Sequence, residues 1–69
     1  MKLTELKPIL ERDPFRPFGL RLSNGVKYEF VERRDLGIPR KVTDTLFYFG
    51  EAGWALIDIE NIVEVFQKQ

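Results

Sequence analysis

The chain has 69 residues, 43% of them hydrophobic, and its 11 Lys/Arg balance its 11 Asp/Glu. That length holds one domain, residues 1–69, and the apolar share excludes a disordered chain, although so small a core is marginal alone and would gain from oligomerisation. With neither Cys nor His, disulfides, thiolate metal sites and the commonest general base are excluded.

The opening "MKLTELKPILERDPF" carries charges throughout and no long apolar run. Neither a signal peptide nor a membrane span is expected there, and the cytoplasm is the default location. Leu3, Leu6, Ile9 and Leu10 fall near helical spacing, which predicts a helix over about 4–12 with Thr4 as N-cap. Pro8 disfavours helical geometry at Lys7, so a start as late as Pro8 is the alternative. Pro14 should end the helix, leaving "DPFRPF" as an extended connector.

Phe18, Leu20 and Leu22 alternate with Gly19, Arg21 and Ser23, and Val26, Tyr28 and Phe30 alternate with Lys27, Glu29 and Val31. These are two half-buried strands, over about 17–23 and 26–32. A two-residue Asn24-Gly25 loop would set Leu22 opposite Lys27 and Leu20 opposite Glu29, mixing charge into the apolar face. A three-residue loop, Ser23-Asn24-Gly25, sets Leu22 opposite Val26, Leu20 opposite Tyr28 and Phe18 opposite Phe30. A one-residue slip flips every side chain, so the second register is expected, with Gly25 left-handed in a bulged turn.

"ERRDLGIPRKVTD" is polar, and Pro39 confines any strand over about 38–42 to an edge or a bulge. Further strands are predicted over about 44–50, 53–59 and 62–66, with a turn at Gly50-Glu51-Ala52-Gly53 and a single helical turn or tight bend at 58–61. Short strands joined by tight turns predict a mainly β fold, a small closed or nearly closed barrel behind a short N-terminal α-helix.

The order resembles the Sm-like family at two places, "LRLSNGVKYEF" as the first hairpin and "WALIDIENIVEVF" as the closing strand, bend and strand. "PFRPFGLRLSNGVKYEF" is also similar to the opening of short uncharacterised bacterial proteins. The Sm-like resemblance implies a small SH3-like/Sm-like five-stranded barrel capped by the short helix, assembly into a ring and RNA binding. The chain departs from the family at the RNA site: "IDIEN" stands where an Arg-Gly-Asp/Asn type loop is expected, and no histidine is present for a Tyr-Lys-His type signature.

No catalytic constellation is visible. Ser23 lies in a turn without a histidine to activate it, and the carboxylates Glu29/Glu32, Asp58/Glu60 and Glu64 alternate as solvent-facing residues do. No catalysis, cofactor or metal is expected. Residues 1–41 carry a net +4 and residues 42–69 a net −4. Such a split is ordinarily surface solvation, and the sharper reading is a dipolar subunit whose basic edge meets a neighbour's acidic edge.

In "LFYF", Leu46 and Tyr48 point to one strand face and Phe47 and Phe49 to the other, so both faces are apolar. Either the helix covers the second face through Leu6, Ile9 and Leu10, or a partner does. The expected function is a self-associating interaction module, a homo-oligomer or one that binds another protein, with Leu46, Tyr48, Trp54 and Phe66 at the interface. RNA binding is the alternative, through Arg33, Arg34, Arg40 and Lys41 with an aromatic ring to stack a base.

Overall fold

The computed structural model describes residues 2–40 and 44–67. Among these, helix α1 (Leu3–Leu10) precedes six strands: β1 (Phe18–Leu22), β2 (Lys27–Phe30), β3 (Leu36–Gly37), β4 (Thr45–Gly50), β5 (Gly53–Asp58) and β6 (Ile62–Gln67). They form two antiparallel three-stranded sheets, ordered β2–β1–β6 and β3–β4–β5. The mainly β class expected from the sequence holds. The pairing departs from a closed five-stranded barrel, because among the described residues no ladder joins one sheet to the other.

The helix begins earlier than its expected cap. Lys2 is the N-cap: its backbone N–H donates to Glu5 Oε1 at 2.8 Å, while the Glu5 N–H donates to the Lys2 carbonyl at 3.0 Å. Thr4 therefore lies inside the first turn. Pro8 is tolerated because the carbonyl it leaves without a helical donor belongs to Thr4, and both residues are exposed. The helix ends at Leu10, short of 12, where the Arg33 guanidinium donates to the Leu10 carbonyl at 2.9 Å and satisfies one of the open acceptors of the last turn.

The first hairpin adopts the three-residue loop. Phe18 pairs with Phe30 and Leu20 with Tyr28, and the Leu22 N–H donates to the Val26 carbonyl at 2.8 Å. Gly25 is left-handed at φ +88°, and Asn24 Oδ1 accepts the Val26 N–H at 3.0 Å, so Asn24 closes the turn upon its own backbone. The second hairpin turns through Glu51-Ala52 between paired Gly50 and Gly53, as expected.

The chain crosses between the sheets at two corners, each a 3-10 turn with a carboxylate at its heart. At Arg33–Asp35, Asp35 Oδ2 accepts the N–H groups of Val31 (3.2 Å) and Glu32 (3.0 Å). At Ile59–Asn61, Asp58 Oδ1 accepts the Glu60 N–H at 3.0 Å. The strand expected over 38–42 lies earlier, at Leu36–Gly37: Ile38–Arg40 form no strand, where Pro39 lacks a ladder donor, and residues 41–42 lie outside the described residues.

The core fills the space between the sheets under the helix. Leu6 and Leu10 from α1 meet Phe18, Leu20 and Phe30 from one sheet, Leu46 and Ile57 from the other, and Ile59 and Ile62 at the second corner. Aromatic rings span the gap: Phe18 stacks on Phe30 at 4.9 Å, and Tyr48 meets Phe30 edge-on at 5.4 Å and Tyr28 at 5.1 Å.

Gly25→Ala is expected to cost about 1 kcal/mol. A Cβ there has nothing within 4 Å, so the whole cost is conformational, and Gly25→Asn should recover part of it. Urea denaturation of the three proteins measures the difference.

Candidate functional site: an apolar sheet face beside an acidic groove

Alternation along β4 decides where its aromatics go. Leu46 and Tyr48 point inward, and Leu46 is 0% exposed. Phe47 and Phe49 therefore point outward, their rings stacked with centroids 5.9 Å apart and 6° between planes. Register sets Leu56 opposite Phe47 and Trp54 opposite Phe49. Trp54 is 66% exposed, Leu56 56% and Phe49 45%. Gly37 of the neighbouring β3 makes room for the rings: a Cβ on it would lie 2.8 Å from the Phe49 ring and 2.9 Å from Phe47 Cβ. The result is a row of two cross-strand apolar pairs on the outer face of one sheet, beside a β5 edge that has no further strand partner among the described residues.

The two faces of "LFYF" are thus told apart. The helix packs into the core with the inward face and leaves the outward face uncovered. Of the four residues expected at an interface, Trp54 alone lies on this face. Leu46 is a correction, since it is wholly buried, and Tyr48 packs half-buried against the core through Tyr28 and Phe30. Phe66 lies half-buried on the outside of the other sheet, its ring laid over Gly19, where a Cβ would collide with it. Lys27 Nζ sits 5.9 Å above that ring. Leu56 is an interface candidate that the sequence pattern did not single out, and Phe47 and Phe49, which the pattern left on either the inner or the outer face, lie on the outer one. The signal that finds them is the pairing itself: once Tyr28 and Phe30 face inward, an inner Tyr48 completes their cluster and its neighbours must face out.

The basic residues are not gathered into one patch. Arg33 reaches back to the end of the helix. Arg34 pairs with Glu32 at 2.6 Å. Arg40 is exposed, and Lys41 lies outside the described residues. Arg34 also borders an open groove of about 720 Å³ whose other charged lining residues are the acids Glu29, Glu32, Asp35 and Glu51. The lining also includes Tyr48, Phe49 and Gly50. It continues into a slot of about 220 Å³ lined by Tyr28, Tyr48 and Trp54, and the two share Tyr48, Gly50 and Ala52.

On the other sheet, a cross-strand ion pair joins β1 to β6, Arg21 Nε to Glu64 Oε1 at 2.8 Å. The hydrogen bond from Arg21, followed by its positive charge, lowers the Glu64 pKa below the ordinary value. Among the described residues, no group of three or more acidic side chains is arranged to hold a metal ion, and no helix is long and apolar enough to cross a membrane. No family model, curated protein or solved structure matches this chain.

Leu46→Ala should cost roughly 2–5 kcal/mol, as for a fully buried leucine, whereas Trp54→Ser should change stability by less than about 1 kcal/mol; chemical denaturation of both variants separates core from surface. The Glu64 contribution has the sign of a depressed carboxylate: present above the unfolded-state pKa, lost as pH falls through the folded one. Glu64→Gln should flatten the acid side of the stability profile, read as urea midpoints from about pH 7 to about pH 3, and leave the neutral side little changed because the pair is exposed.

Proposed function

We propose that this chain is a non-catalytic interaction module, a small barrel of Sm-like type, that self-associates through the outer face and free edge of β5. The observation that carries the reading is the row Phe49, Trp54 and Leu56, apolar and exposed on one sheet face, with the half-buried Phe47 beside them. Soluble monomers seldom leave contiguous apolar surface of this kind uncovered. The edge of β5, without a further strand partner among the described residues, adds backbone donors and acceptors that a second copy of the same edge can satisfy. Two β5 strands meeting antiparallel about a twofold axis would extend the sheet and bring each Trp54 and Leu56 against those of the other copy. The small core adds a thermodynamic reason, because association removes further apolar area from water.

Nucleic acid is the poorer fit to this face. Glu29, Glu32, Asp35 and Glu51 border the groove next to Phe49 and Trp54, where a stacked base would bring its phosphate.

Sedimentation analysis across a concentration series tests the reading. The native chain should sediment as a dimer or larger species. Leu56→Ser combined with Trp54→Ser should yield a monomer with unchanged circular dichroism. A native chain that stays monomeric at the highest soluble concentration, or a double variant that keeps the native mass, would overturn it.

A further inference from the structure

Asn24 and Gly25, exposed at the tip of the first hairpin, set a side-chain carboxamide beside the least hindered backbone nitrogen a chain can offer. That juxtaposition has a chemistry of its own. The Gly25 nitrogen can attack Asn24 Cγ, forming an N–Cγ bond as the Cγ–Nδ2 bond breaks. The Gly25 hydrogen leaves with Nδ2 as ammonia, and a cyclic imide remains. Water then opens the imide. Cleavage of the new N–Cγ bond gives aspartate. Cleavage of the bond to the Asn24 backbone carbonyl carbon gives isoaspartate, whose main chain runs through Cγ and is longer by one atom. Nothing is oxidised or reduced.

The folded turn opposes the first step. The Gly25 N–H donates to the Leu22 carbonyl at 2.9 Å, and Asn24 Oδ1 accepts the Val26 N–H at 3.0 Å. The imide nitrogen carries no hydrogen, so the closed turn and the imide exclude each other: the bond to Leu22 must open before the ring can form. We propose that Asn24 is a site of spontaneous deamidation that the closed turn holds in check. Crowding is not the brake, because a Cβ on Gly25 would meet nothing within 4 Å beyond its chain neighbours. The hydrogen bonds are the brake, and local opening of the loop sets the rate. Asn61 is the internal contrast. It precedes the β-branched, buried Ile62, whose N–H donates to the Ile59 carbonyl, so crowding and a hydrogen bond both protect it. The two products at Asn24 differ in consequence. Aspartate keeps an oxygen in place to accept the Val26 N–H. Isoaspartate lengthens a loop whose three residues set the hairpin register and whose Ser23 N–H donates to the Asn61 carbonyl at 2.8 Å. It therefore loosens the β1–β2 pairing together with the joint that positions β6. The loop belongs to the sheet that lacks the apolar face, so this chemistry is independent of self-association.

The native chain and a blocked peptide of residues 22–26, Leu-Ser-Asn-Gly-Val, are incubated in the same mildly alkaline buffer. Mass spectrometry follows the modification, and chromatography after proteolysis separates aspartyl from isoaspartyl products. The peptide should deamidate about tenfold faster than the folded chain, or more, and the chain unfolded in urea should match the peptide. Asn61 should stay intact. The purified isoaspartyl form is then compared with Asn24→Asp. Both carry the added charge and only the former has the longer main chain, so the isoaspartyl form should have the lower urea midpoint. An unfolded chain that leaves Asn24 unmodified, equal rates in the native chain and the peptide, or an isoaspartyl form as stable as Asn24→Asp would overturn the proposal.

Discussion

The edge-on contact of Tyr48 with Phe30, 5.4 Å between ring centres, is the constraint on which the rest of the structure depends. The two sheets share no ladder among the described residues, so they are held together by side chains and by the two corner turns. A ring from β4 reaching the β1–β2 hairpin fixes which face of β4 points inward. It thereby sends Phe47 and Phe49 outward, since strand residues alternate without exception short of a bulge. The exposed apolar face is the geometric remainder of a core that needed Leu46 and Tyr48. A chain of this size has too little second-layer material to cover both faces: its one described helix is eight residues long and already closes the open side of the core.

The corners carry a second consequence. Each 3-10 turn stops a strand at a point where a side-chain carboxylate takes over the backbone donors, Asp35 at the first and Asp58 at the second. The second is tied down further by backbone bonds from Ile59 to Asp44 and from Ser23 to Asn61, each 2.8 Å. Ser23 belongs to the first hairpin loop, so the loop closed by Asn24 and Gly25 is a structural joint as well as a corner. Its geometry sets where β6 begins, and β6 completes the sheet opposite the apolar face.

The parts of this fold legible in the sequence are those where two independent constraints agree. In the first hairpin, face matching and turn chemistry both demand a three-residue loop, and the pairing obeys them. At β3 only one constraint is available, the proline penalty at Pro39, and it displaces the strand toward the N-terminus without saying how far. The Arg33–Asp35 turn is invisible in sequence because its signal is a carboxylate three residues after Glu32, a spacing equally suited to solvent. Arg33 looks anion-facing in sequence because its partner, the Leu10 carbonyl, lies 23 positions away and has no side chain to advertise it. In "LFYF" the pattern is symmetrical, and only the position of Tyr28 and Phe30 across the core breaks the symmetry.

The charge asymmetry makes the same point about surfaces. The sequence divides into a basic first part and an acidic second part, yet the folded groove draws Glu29, Glu32 and Asp35 from the former and Glu51 from the latter. The corner at Arg33–Asp35 brings this about by turning the end of the β1–β2 hairpin toward the β4–β5 turn. The cation lining the groove, Arg34, is drawn into a pair with Glu32. A neutral chain thus presents an acidic, aromatic-lined surface next to an apolar one, and the two meet at Phe49 and Trp54. Burial of the apolar row would supply affinity with little discrimination, whereas carboxylates beside it would disfavour an anionic neighbour. A single strand register places the two side by side on one surface.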